Sequence, residues 1–140
     1  MAQTQQLAEF RFPARTDRLR PARQVVRDAL QALGCGKEYI DHTVLAVDEA
    51  TSNVIRHAYA GDENGEVILQ VLRRGDVLVI RLIDFAPPVD LTTIKPRDLD
   101  DVRPGGLGTH IIREIMDKLE FVKPPRGAGN VLEMTRKLEA

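Results

Sequence analysis

The chain has 140 residues, enough for one domain, 1–140, that folds on a core of its own. Its 43% apolar and 29% charged residues and net charge of −1 are ordinary for a globular protein, and they exclude a charge-driven nucleic-acid or anionic-membrane partner. No apolar run approaches the roughly 18 residues of a membrane span, the first ten residues lack the make-up of a secretory signal, and the lone Cys35 has no internal disulfide partner. The expectation is therefore a cytoplasmic protein.

Leu7 to Phe12 reads as a short strand, after which Thr16 or Asp17 looks like a helix cap with Pro21 tolerated in the first turn. Leu19, Ala22, Val25, Val26, Ala29, Leu30 and Leu33 recur at three and four, an amphipathic helix that stops at Gly34-Cys35-Gly36. In that turn Cys35 reads as a small residue rather than a reactive thiol. A second helix runs from about Lys37 to Tyr59, with Ile40, Val44, Val47, Thr51, Val54 and Ala58 as its core stripe. Asn64-Gly65 marks a turn, and the β-rich runs Glu66 to Leu72 and Val77 to Ile83 form a hairpin around Arg73-Arg74-Gly75-Asp76.

From Asp84 to Gly108 the pattern weakens among Pro87, Pro88, Pro96, Pro104 and three glycines. A patternless stretch this long suits a lid or binding loop. A third helix follows, burying Ile111, Ile112, Ile115, Met116 and Leu119, and Phe121 to Lys123 with Val131 to Leu138 closes the chain as a hairpin. The predicted fold is α+β, a two-layer sandwich whose mixed, mostly antiparallel sheet carries helices on one face.

Three places hold chemistry. Glu49 and Asn53 lie one turn apart on the polar side of the second helix, with Ser52, Arg56 and His57 nearby. The amide oxygen suits a hard cation and the carboxylate suits proton abstraction, although on spacing alone a solvated helix face accounts for the pair. Asp84 ends the apolar strand VLVIRLI, either as a loop entry or as an acceptor at a pocket floor. Gly105-Gly106-Leu107-Gly108-Thr109 leads into a helix, where backbone N–H groups and the helix N-terminus favour phosphate; a flexible hinge is the plainer reading. It is neither a Walker A loop nor a dinucleotide fingerprint.

In combination the three are specific. Glu49 to Tyr59, EATSNVIRHAY, resembles the N box of the Bergerat-fold ATPases, the group of gyrase, histidine kinases and MutL. Asp84-Phe85-Ala86-Pro87-Pro88 falls at that group's first glycine box, Gly105 to Gly108 at the second and Gly127 to Asn130 at the third. With Phe12-Pro13-Ala14-Arg15 near the start and THIIREIMDKLE over 109–120, the chain is most similar to the anti-sigma factor serine/threonine kinases.

The resemblance implies ATP and Mg²⁺ as cofactors, Glu49 as general base, Asn53 as metal ligand and Asp84 as acceptor for the adenine amine. It implies nucleotide contacts from Arg56, His57, Ala86, Gly105, Gly106, Leu107, Gly108, Thr109 and Asn130, with a lid over about 85–108. Partners would be a STAS-type antagonist, phosphorylated on Ser or Thr, and a sequestered target such as a sigma factor, with a homodimer as the working unit. The first box reads Asp84-Phe85-Ala86-Pro87-Pro88 against the family's D-x-G-x-G, with Ala86 and Pro88 at the glycine positions, and Asn130 and Val131 stand where the third box has threonines. Two alternatives stay open, a nucleotide-gated binding module without kinase activity and an ATPase that hydrolyses rather than transfers. Arg15, Arg18, Arg20, Arg23 and Arg27 make the first helix region basic, either a solvated face or a dock for an acidic partner. His42 and His110 read as surface or packing residues.

Overall fold

The computed structural model describes residues 3–59, 62–87, 107–124 and 127–139, with 107–109 described by backbone alone. The chain runs through β1 (Thr4–Pro13), a 3-10 turn (Thr16–Arg18), α1 (Leu19–Ala32), α2 (Lys37–His57), β2 (Glu66–Arg74), β3 (Val77–Asp84), α3 (Leu107–Ile115), β4 (Lys118–Val122) and β5 (Asn130–Lys137). The five strands lie in the order β1-β2-β3-β5-β4, and all four junctions are antiparallel. The expected sheet is thus present without a parallel pair among the described residues.

Alternation decides which face is covered. Val67, Leu69 and Val71 of β2, Leu78, Ile80 and Leu82 of β3, and Leu132 and Met134 of β5 point to one side, where they meet Val26 and Leu30 of α1, Val44 and Val47 of α2 and Ile112 of α3. Among the described residues the opposite side buries less, a small cluster of Ile68, Ile83 and Val131 together with Leu72 and Val79, bordered by ionic pairs such as Arg81 to Glu133. Continuing the same alternation, Asp84 faces the helices at the end of β3, directly across from Asn130 at the start of β5.

A polar clamp fixes α2 to β5. The Arg136 guanidinium lies 4.1 Å over the Tyr39 ring and donates to Tyr39 O and Thr43 Oγ1, while the Tyr39 hydroxyl donates to Lys137 O. Burial pushes the Tyr39 hydroxyl up to about 12, so it stays a donor through the neutral range.

Several expectations need correction. Strand β1 starts at Thr4 rather than Leu7, because its ladder with β2 runs on to Arg74. Neither Thr16 nor Asp17 caps a helix with its side chain: they form the 3-10 turn, and Asp17 takes the Arg15 guanidinium instead. Helix α2 ends at His57, and Ile55 rather than Val54 or Ala58 is its last buried residue. The third helix stops at Ile115, so Leu119 belongs to β4. There the backbone is drawn into the sheet, since Asp117 N–H donates to Thr135 O and Leu119 pairs with Met134. Leu119 and Phe121 face the same core from alternate positions of a strand, a pattern that over so few residues also fits a helix.

Candidate nucleotide site

The floor of the site is built where β3 and β5 end together. Asp84 is 5% exposed, and its Oδ1 accepts from Ala86 N–H at 3.0 Å and from Asn130 Nδ2 at 2.9 Å. Its main-chain oxygen accepts from Gly129 N–H at 2.8 Å, and Asn130 Nδ2 also reaches Pro87 O at 3.3 Å. Burial raises the Asp84 carboxyl above the usual carboxylate range, and the two donors on Oδ1 pull it back. Among the described residues Oδ2 has no donor. The carboxylate is thus oriented from one side and left with an acceptor on the other.

Gly129 makes this possible. A Cβ there would lie 1.9 Å from Ala86 O, so only a glycine lets the two backbones touch. The apolar Ala86 is 3% exposed and seals the floor.

Glu49 and Asn53 share one side of α2, both half-buried, with Arg56 and His57 exposed in its last turn. There the two basic residues complement the helix dipole. Arg56 donates to Asn53 Oδ1 at 2.6 Å, so the amide oxygen faces a cation. Helix α2 packs between α1 and α3 and over β3, the strand that delivers Asp84. Leu107, Gly108 and Thr109 form the first turn of α3, so the helix begins inside the segment expected to be lid. Gly105 and Gly106 lie outside the described residues.

The basic surface expected around α1 is largely neutralised. Arg23 pairs with Asp48 and Arg27 with Asp41, both at 2.8 Å, and Arg15 and Arg18 share Asp17. Lys37 first and Arg27 second hold the Asp41 carboxyl down to about 2. Arg23 and Arg27 tie α1 to α2, and Arg15 and Arg18 are held by Asp17 of the 3-10 turn, which leaves Arg20 as the exposed one of the five without such an ion pair among the described residues. His42 is exposed, and His110 pairs with Glu114 on the surface, as expected. Burial pushes the Cys35 thiol up, in keeping with an inert residue.

Two contributors carried little signal in the sequence. Gly129 looks like a second turn glycine beside Gly127, yet only Gly127 has a positive φ, 92°. Tyr59, just past the end of α2, bonds to both Glu66 and Phe85 across the mouth of the β2–β3 hairpin.

Residues 12–136 match the model of the histidine kinase-like ATPase domain. The chain belongs to this family. Within it, the chain is 30% identical over 149 residues to the serine-protein kinase RsbW of Bacillus pumilus, covering 99% of this chain and 90% of that protein. It is 29% identical over 120 residues to the RsbW of Listeria monocytogenes serovar 1/2a, covering 80% of this chain and 76% of that one. Among solved structures, the RsbU and RsbW domains of Rv1364c from Mycobacterium tuberculosis superpose with a TM-score of 0.65 at 16% identity, over 94% of this chain and 31% of that longer one. The SiaB-SiaC complex from Pseudomonas aeruginosa gives 0.62 at 14% identity, over 96% of this chain and 91% of the other. At such identities the structures speak for the fold alone. The histidine kinase-like ATPase domain and its kinase relatives make this chain an ATP-dependent serine/threonine protein kinase.

Proposed function

We propose that this kinase works by partner switching: it sequesters a regulatory target such as a sigma factor and phosphorylates a STAS-type antagonist on Ser or Thr, as a cytoplasmic homodimer using Mg²⁺ with ATP. The observation that carries the reading is the Asp84 floor, a buried carboxylate held on Oδ1 by Ala86 and Asn130 with Oδ2 left over. The free Oδ2 is an acceptor and suits the N–H of an exocyclic amine, and the Asn53 amide oxygen would suit a hard cation. Bound Mg·ATP supplies the phosphoryl group and neutralises its charge.

The chain's own residues do the rest. Asp84 accepts from the purine amine, and Asn130 positions Asp84 instead of meeting the base. Glu49, half-buried beside Asn53, takes the proton of the acceptor hydroxyl. Arg56, which now holds Asn53 Oδ1 at 2.6 Å, would give that oxygen up to the metal and would then be available to phosphate. The Gly105-Gly106-Leu107-Gly108-Thr109 run, whose last three residues open α3, would bind phosphate through backbone N–H groups, with the dipole of α3 adding to the attraction. His57, exposed at the helix end, borders the site.

The test is phosphate transfer. The purified chain is incubated with Mg·ATP and a candidate STAS-type antagonist, and intact-mass spectrometry follows the gain of one phosphate. The gain is expected from the wild type and expected to vanish in Glu49→Ala, with antagonist binding retained. Equal phosphorylation by Glu49→Ala removes the base assignment, and no transfer to any antagonist removes the partner assignment.

A further inference from the structure

Strands β2 and β3 stay paired up to Val67 and Asp84, so the next rung would join Glu66 to Phe85. That rung is not made directly. The Tyr59 hydroxyl stands between the two, donating to Glu66 O at 2.6 Å and accepting from Phe85 N–H at 2.7 Å. A side-chain oxygen thus acts as a one-atom spacer in the ladder. It satisfies both backbone groups while holding the strands apart, so the chain leaves the sheet immediately after Asp84.

The ring is held as firmly as the hydroxyl. It lies flat on Gly65, where a Cβ would come within 2.3 Å of Tyr59 Cδ2 and Cγ. Gly65 is itself fixed, because its carbonyl accepts from Ala14 N–H at 2.7 Å. Burial raises the Tyr59 hydroxyl, which keeps it protonated and able to donate at neutral pH. One residue therefore joins the end of the helix bearing Glu49 and Asn53, the start of β2 and the peptide that follows Asp84. Phe85, although 43% exposed, has its backbone fixed there.

We infer that Tyr59 is a positioning residue for purine selection: by wedging open the rung after Asp84 it sets the plane of the Asp84–Phe85 peptide, and so aims the carboxylate at the exocyclic amine. The inference rests on Asp84 as the adenine acceptor and extends it to a residue that touches no nucleotide. A base bearing a carbonyl in place of the amine gains nothing from an aimed carboxylate, so the effect is specific to adenine.

Titration calorimetry of the full chain with Mg·ATP and with Mg·GTP tests this on the wild type, Tyr59→Phe, Gly65→Ala and Asp84→Asn, with amide exchange of Phe85 followed by NMR. Tyr59→Phe removes the spacer's hydrogen bonds, and Gly65→Ala pushes the intact tyrosine off its seat. Both are expected to weaken ATP by about three- to tenfold, the worth of one buried hydrogen bond, and to leave GTP unchanged. Phe85 amide exchange is expected to rise by about tenfold or more without nucleotide. Wild-type ATP affinity in both variants, even with a lowered melting temperature, overturns the inference and leaves Tyr59 a structural residue. Should Asp84→Asn bind ATP as well as the wild type, the adenine assignment falls and the inference with it. Loss in Asp84→Asn with none in Tyr59→Phe or Gly65→Ala refutes the role of Tyr59 alone.

Discussion

Replacing Gly129 by alanine tests how the site is assembled. The new Cβ would lie 1.9 Å from Ala86 O, 3.0 Å from its carbonyl carbon and 3.1 Å from its nitrogen, all of them backbone atoms that no rotamer change can move. Relief requires the start of β5 and the chain after β3 to part by about 1 Å, an overpacking that costs about 1–3 kcal/mol. For a chain of this length that lowers the melting temperature by about 3–10 °C. The damage to binding is larger. Gly129 N–H holds Asp84 O at 2.8 Å, and Asn130, the next residue, holds Asp84 Oδ1, so a shift of that size misaims the carboxylate. A misplacement of about 1 Å in a positioned group is worth up to about 100-fold. Calorimetric melting and ATP titration well below the melting point separate the two effects. Gly127→Ala is the control: its φ of 92° makes alanine strained there, but nothing lies within 4 Å of its Cβ, so it loses stability and keeps ATP affinity. Wild-type ATP affinity in Gly129→Ala would falsify the account of the floor.

Two further variants read the titrating groups. Asp84→Asn keeps an acceptor for Ala86 and Asn130 but turns the other oxygen into a donor, so ATP binding is expected to fall by about tenfold or more. Because burial raises the Asp84 pKa, the folded chain holds that proton more tightly than the unfolded one, and stability falls as pH rises from about 4 through the folded pKa. Asp84→Asn lacks this loss, so at neutral pH it melts at or above the wild type, an advantage that should be absent near pH 3; a neutral-pH melting point well below the wild type refutes this. Tyr39→Phe gives up the bond to Lys137 O and about 1 kcal/mol at pH 7. Wild-type stability should decline as pH rises from about 10, where the unfolded tyrosine ionises, to about 12, and Tyr39→Phe should escape that decline. Parallel melting curves for the two proteins up to pH 11 would contradict it.

Much of the architecture was legible because hydrophobic period and element length agree for the long elements. Helices α1 and α2 and the β2–β3 hairpin fall within a few residues of their predicted bounds, since each buries one regular face. The readings that slipped are those decided by contacts distant in sequence. Ile115, Met116 and Leu119 fit a helical stripe, but β5, more than ten residues further on, pulls the chain into a strand at Lys118. The arginines of α1 form a basic cluster in the sequence, yet the acids that neutralise Arg23 and Arg27 lie on α2. Glu49, Asn53 and Asp84 stood out in the sequence as candidates because their residue types are informative. Tyr59 and Gly129 were not, because their work is done by where their backbone neighbours fall.

The same distinction bears on Ala86, at the first of the two glycine positions where the chain departs from the family's first glycine box. A glycine can serve such a position in two ways, by adopting a positive φ or by letting another backbone come close. Here the close approach at Ala86 is supplied from the opposite strand. Gly129 carries no side chain on the contact, and the Ala86 methyl is buried elsewhere in the floor. Ala86 N–H still donates to Asp84 Oδ1, the bond that a glycine backbone would make. The substitution therefore removes freedom from the first box without removing the contact that aligns the carboxylate. The demand for a glycine falls instead on the third box, at Gly129, where the chain retains one.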